Sequence, residues 1–200
     1  MNKISIKAAF FFLTCAAAAS PLGCAASADG EDAADEAGES GDVGETSAEL
    51  STACKITRAQ IMASVSGARL TAIKRGFGWW DAKVPYNQKA SYGGYRTDCS
   101  GFVSMCWSLP RSYTTADFIT NNGPSTVLSS YGSLLPGDAL VRHVNNNNAH
   151  MVLFLGWNDA AKTSACVIEQ NSTALDMEFG TRSASSLRSG GYKAIRADKF

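Results

Sequence analysis

The chain has 200 residues, 45% hydrophobic and 10% aromatic, with 18 basic and 18 acidic side chains. That length suits one ordinary domain with some extra chain, and that apolar content excludes a wholly disordered protein. The zero net charge hides a division: residues 29–49 hold nine Asp and Glu and no Lys or Arg, while residues 55–200 carry 16 basic against nine acidic side chains, an excess of +7.

The first 28 residues read as an export signal. Lys3 and Lys7 precede a short apolar run, Ala8 to Ala19, which is too brief for a permanent membrane span. Residues 21–28 fit two maturation routes. Pro21-Leu22-Gly23-Cys24 resembles a bacterial lipoprotein cleavage box, with Cys24 as the lipidated first residue and a lipid anchor as the only tie to a membrane. Ala26-Ser27-Ala28 offers the competing small-x-small site of an ordinary secreted protein. Residues 29–53 are Ala, Gly, Ser and acid, with too little apolar surface to offset ordering entropy, so a disordered tether is expected there. The domain is then 54–200, enough for one core burying roughly two-thirds of its unfolded surface.

Within it, Ile61, Met62, Val65, Leu70 and Ile73 mark a loose helix over 57–74, interrupted at Gly67. Residues 77–96, rich in Gly and aromatics, read as an ordered loop. A compact apolar helix is predicted from Cys99 to Leu109, with Pro110 enforcing its stop. Residues 111–137 read as irregular. Strands are expected at 139–142, 151–157, 165–170, 177–182 and 192–196. Helices first and strands afterward predict an α+β fold with an antiparallel sheet.

Asp98-Cys99-Ser100-Gly101-Phe102 sits where loop becomes helix. With Thr97 or Asp98 as the cap, Cys99 falls in the first turn. There the helix dipole and unpaired N–H groups are expected to lower the thiol pKa and to hold an oxyanion, and small neighbours to keep the sulfur accessible. A cysteine nucleophile needs a base, and the chain has two histidines, His143 and His150. His150 opens the uniformly apolar run Met151–Leu155, the signature of a central strand; His143, beside the Asn145–Asn148 tract, reads as a loop residue. A hairpin of 151–157 with 165–170 brings Glu169, Gln170 or Asn171 near His150, and spacing alone does not choose among the three. Cys106 is about two helical turns from Cys99, too far to bridge it. Cys54 and Cys166 are left as a pair without assigned connectivity, and Cys15 leaves with the signal.

Pro85-Tyr86, Asp98-Cys99-Ser100-Gly101-Phe102, Leu135-Pro136-Gly137-Asp138-Ala139, and His150 with Gly156, taken in that order, resemble the NlpC family. These are bacterial papain-like cysteine peptidases that cut peptidoglycan stem peptides. The resemblance covers most of 57–197. It implies a papain-like fold, with the nucleophile at the N-terminus of a central helix packed on an antiparallel sheet. It makes Cys99 the nucleophile and His150 the base, and sets Tyr86, with Asp98 and Ser100 flanking the thiol, at the substrate. Where the family usually has a second histidine, this chain has Glu169-Gln170, and Glu169 is the best match for the residue that orients His150. A thiol enzyme that transfers or hydrolyses another acyl group, on protein or lipid, and a silent binding domain are the rival classes. No cofactor is expected, and a zinc site would have only Cys99, His150 and Glu169 on offer. No nucleic-acid motif or dinucleotide loop is present, and a monomer acting on peptide is expected.

Overall fold

The computed structural model describes residues 52–200; the signal, Cys24 and the linker up to residue 51 lie outside them. Thr52, expected in the tether, already belongs to the domain. Its carbonyl accepts the Thr181 N–H at 3.0 Å and its hydroxyl meets that of Thr181 at 2.9 Å. Two residues on, Cys54 forms a disulfide with Cys166, which supplies the connectivity that spacing leaves open.

The run 57–74 is two helices. Thr57 starts α1 (Arg58–Ala63) with a capping box, donating its N–H to Gln60 Oε1 at 2.8 Å while accepting the Gln60 N–H at 3.2 Å. The second helix, α2 (Gly67–Asp81), continues well past Lys74 into the stretch expected to be loop. Gly67, at φ +55°, does mark the break between the two helices, whereas Gly76 and Gly78 lie within α2 without interrupting it. A Cβ on Gly76 would lie 3.3 Å from Cys106 Sγ and 3.4 Å from Leu153 Cδ2, so this glycine serves close helix packing and not a turn. The rest of that stretch is a hairpin, β1 (Asn87–Tyr92) with β2 (Tyr95–Thr97), whose first strand is exposed at all six positions and so has no alternation to read.

The next helix, α3 (Cys99–Cys106), is buried along its whole length, as its unbroken apolar character requires. It ends before Pro110. Ser108 adopts φ +47° and Leu109 N–H bonds back to Ser104 O at 2.9 Å, so a left-handed turn makes the stop. The region 111–137, expected to be irregular, holds 3₁₀ turns at Asp117–Ile119 and Tyr131–Ser133 and a short strand, β3 (Ser125–Val127).

Then come β4 (Ala139–Asn145), β5 (Asn148–Trp157), β6 (Ser164–Gln170), β7 (Met177–Ser183), a helix with no signal in the sequence, α4 (Ala184–Ser189), and β8 (Lys193–Ala197). The sheet order is β3-β8-β4-β5-β6-β7, antiparallel at every pairing. The fold is therefore α+β. Strand alternation divides the interior. Val141, Met151, Leu153, Cys166 and Ile168 face the core that contains Cys99, Phe102 and Phe77. Leu140, Val152, Phe154 and Val167 face a second core with Leu187 and Tyr192.

The Pro136-Gly137-Asp138 turn locks these layers. Fully buried Asp138 accepts from Arg69 of α2 at 2.9 Å and from Arg196 of β8 at 3.0 and 2.7 Å, and Trp107 Nε1 donates to Gly137 O at 2.8 Å. The contacts of this motif hold the fold together, and none of its residues lines the cleft that contains Cys99.

Candidate active site

Asp98 is the N-cap of α3, with extended backbone and its Oδ1 accepting the Gly101 N–H at 2.6 Å. Its other oxygen pairs with Arg96 Nε. Arg96 Nη2 also donates to Ser100 Oγ at 2.9 Å and to Tyr113 O at 3.2 Å. Asp98 and Ser100, expected at the substrate, do line the cleft, but Arg96 ties both to the protein itself. Gly101 answers to the same crowding, because a Cβ there would come within 2.0 Å of Arg96 O. Gly101→Ala is expected to cost about 1–3 kcal/mol or more through overpacking, read as a lowered thermal midpoint; an unchanged midpoint would show that the Arg96 backbone yields freely.

Cys99 lies at the floor of a cleft of about 410 Å³, only 7% exposed. The accessible, low-pKa thiol expected from its helix-start position is therefore corrected. Burial pushes the thiol up to about 12, and the neighbouring Asp98 charge adds to this; the backbone N–H groups of Met151 and Ser100 act in the opposite sense but do not prevail. The helix terminus is still present, but one of its first-turn donors, the Gly101 N–H, is spent on Asp98. The alkylation rate of Cys99 should accordingly keep rising beyond about pH 10. A plateau below about pH 8.5 would mean that the thiolate is stabilised at rest after all.

His150 is the third residue of β5 and lines the same cleft. Its Nε2 lies 2.6 Å from Glu169 Oε2. Of the three candidates that spacing allows, Glu169 makes this contact. The β5–β6 register explains why: carried on from Leu153↔Ile168, it sets 171 opposite 150, so 169 and 171 share the face of His150 and 170 does not. Gln170 instead donates to Val84 O at 2.8 Å, and Asn171, at the cleft wall, is bound to Glu178.

Sequence reasoning misses Arg182. From β7 it grips fully buried Glu169 with a two-pronged bond, Nε to Oε1 and Nη2 to Oε2, each 2.7 Å. Burial by itself would raise the Glu169 carboxyl; the Arg182 charge, with the bonds from His150 and Arg182, outweighs it and holds the group down to about 2. An ionised Glu169 only accepts hydrogen bonds, so His150 donates to it through Nε2, and Nδ1 is the ring nitrogen left for other partners. Tyr192 contacts the His150 ring edge to face, centroids 6.5 Å apart. Residue alternation sets His150 with the second core and Cys99 with the first, and both reach the cleft where β5 begins.

His143 is not a loop residue. β4 extends to Asn145, His143 pairs with Ala149, and its Nδ1 meets Thr115 Oγ1 at 2.9 Å on the cleft wall. Tyr86 also lines the cleft, its N–H bonded to Asp176 at 2.8 Å and its hydroxyl accepting from Gln88 at 3.3 Å. Among the described residues, no group of three His, Cys, Asp or Glu side chains is placed to hold a metal ion, and no helix is long and apolar enough to cross a membrane. Comparison with protein-family models, with curated proteins and with solved structures found no match.

Proposed function

We propose that this protein is an exported cysteine hydrolase of papain-like design, divergent from the NlpC peptidases it resembles, that cuts peptidoglycan stem peptides. The observation that carries the reading is the His150–Glu169 bond at 2.6 Å in a cleft floored by Cys99 at the start of α3. A nucleophile, a base and a residue that orients the base are the three parts of acyl transfer by a side chain. The Cys54–Cys166 disulfide supports export, since such bonds persist in oxidising compartments.

The chemistry rests on the proton positions. The thiol is protonated at rest, because burial disfavours the thiolate. As the sulfur attacks the substrate carbonyl, its proton passes to His150 Nδ1, and Glu169 stabilises the resulting imidazolium through Nε2. First-turn N–H groups of α3 take the developing oxyanion. The C–N bond then breaks as His150 returns the proton to the leaving amine. Water, deprotonated by His150, hydrolyses the thioester and frees the acid and the thiol.

The test is mass spectrometry of products after the protein is incubated with purified peptidoglycan, beside a Cys99→Ala control. Stem-peptide fragments from the wild type alone are the expected result and would name the bond cut. If neither sample released fragments, the cell-wall substrate would give way to another acyl group on protein or lipid.

A further inference from the structure

The end of α2 and the turn from β6 to β7 border a groove of about 480 Å³ that the acyl-transfer steps do not use. Trp80 lines it and, at 36% exposure, is the most open of the four tryptophans. Phe179 meets its ring edge to face, centroids 6.2 Å apart, so the indole is a held surface. Met177 adds a second apolar contact, and Asp81, Lys83 and Asp176 complete the lining. Two of these charged residues stand where glycine is usual. Lys83 follows the C-cap of α2 at φ +50°, its N–H bonded back to Trp80 O at 3.1 Å, and Asp176 ends the β6–β7 turn at φ +53°. A left-handed position is commonly given to glycine, which has no side chain; here both positions keep a charged one and set it in the groove. The charges balance: Asp81 is paired with Arg58 at 2.8 Å, and Asp176 is matched by Lys83. Asp176 Oδ1 also accepts the Tyr86 N–H at 2.8 Å, which ties the groove to the cleft that Tyr86 lines.

We propose that this groove binds a sugar ring, and that the sugar belongs to the glycan strand from which the stem peptides branch. A pyranose has an apolar face of C–H groups that lies on an indole, and a rim of hydroxyls that bonds to carboxylates and an ammonium. A purely apolar partner would desolvate Asp81, Lys83 and Asp176 without replacing their hydrogen bonds. An ion of either sign would meet opposite charges in equal number. The sugar site stands on the groove alone; the identity of the strand rests on the function proposed above.

The experiment titrates the full chain with chitotetraose, a soluble and neutral amino-sugar tetramer. Calorimetry gives the affinity, and acrylamide quenching of tryptophan emission reports on Trp80. The tetramer carries no peptide, so the result does not depend on Cys99. Saturable binding that shields the wild-type emission from the quencher is expected, and about 1 M salt should leave it unchanged because the ligand has no charge to screen. Trp80→Ala should weaken binding about tenfold or more, and Trp80→Phe, which keeps an aromatic face, less. Asp176→Asn keeps an acceptor for the Tyr86 N–H and a residue type that tolerates positive φ; it should weaken binding about threefold, since a carboxylate accepts more strongly than an amide. No saturable binding, or binding that Trp80→Ala leaves intact, overturns the sugar site. Self-association of the chain that Trp80→Ala abolishes, without sugar binding, overturns it in favour of an interface between copies.

Sedimentation with insoluble peptidoglycan tests the strand. Excess chitotetraose should release the wild type from the pellet; release by free stem peptide alone would place the attachment in the cleft and overturn the assignment. Tetramer binding with no peptide released from peptidoglycan keeps the sugar site and removes the peptidase. Peptide release without tetramer binding does the reverse.

Discussion

Glu169→Ala is expected to cost about 3–5 kcal/mol of stability, the usual penalty for stranding one member of a buried ion pair. Arg182 would lose both 2.7 Å bonds and be left charged in the interior, only 2% exposed. Turnover by the molecules that remain folded should fall by about 10²–10⁴-fold, because His150 would lose its orientation and the charge that stabilises its protonated form. Asn171→Ala, on the same strand face but bound to Glu178, should change turnover far less. Equal losses in the two variants would remove Glu169 from the site.

A purely structural role can be told from an orienting one. Glu169→Leu combined with Arg182→Met removes both charges and should recover most of the stability but none of the turnover. Acid gives a second check. The folded Glu169 carboxyl is held at about 2, below its ordinary value of 4.5. A group depressed in this way contributes in full above its unfolded pKa and loses that contribution as pH falls through the folded one. Wild-type stability should therefore decline between those two values, and the double variant should lack that component. Matching acid profiles would mean that another carboxylate governs the acid transition.

The second large effect is expected at the disulfide. Cys54 and Cys166 are 112 residues apart in sequence. Removing a cross-link that closes so long a loop should cost about 4–5 kcal/mol on the chain-entropy account. Cys54→Ala is the cleaner variant, since Cys166 is wholly buried in the sheet and its replacement adds a cavity. The urea midpoint should fall sharply, and reducing agent should lower the wild type to the same level. If reduction leaves the midpoint where it was, the bond does not limit stability. The contacts of Thr52 with Thr181 would then be what secures this end of the domain.

How much of the fold and site is legible in the sequence differs from residue to residue. The strands of the large sheet announce themselves because Met151–Leu155 and Ala165–Ile168 are continuous apolar runs, and burial on both faces leaves such runs little choice. The loop-to-helix step at Cys99 is legible from its capping residue. The β1–β2 hairpin is not, because an exposed strand has no hydrophobic period, and α4 is hidden by its serines. Gly76 resembles a breaker because a glycine that permits close approach has the same spelling as one that permits a turn. Glu169 is one of three candidates until a register exists to separate odd from even positions. Arg182 gives no signal, since its partner lies across a strand pair whose alignment the sequence does not state. The thiol misleads for a different reason. A helix terminus is a local feature that can be read, while the depth of Cys99 beneath β5 is a property of the assembled fold.

That depth also bears on the durability of the sulfur itself. The domain holds one disulfide and two free thiols, Cys99 and Cys106, both buried. Thiol–disulfide exchange needs an exposed thiolate able to reach a sulfur of the bridge. Cys99 has neither the exposure nor the charge, so the sulfur is sheltered from scrambling and from stray oxidants.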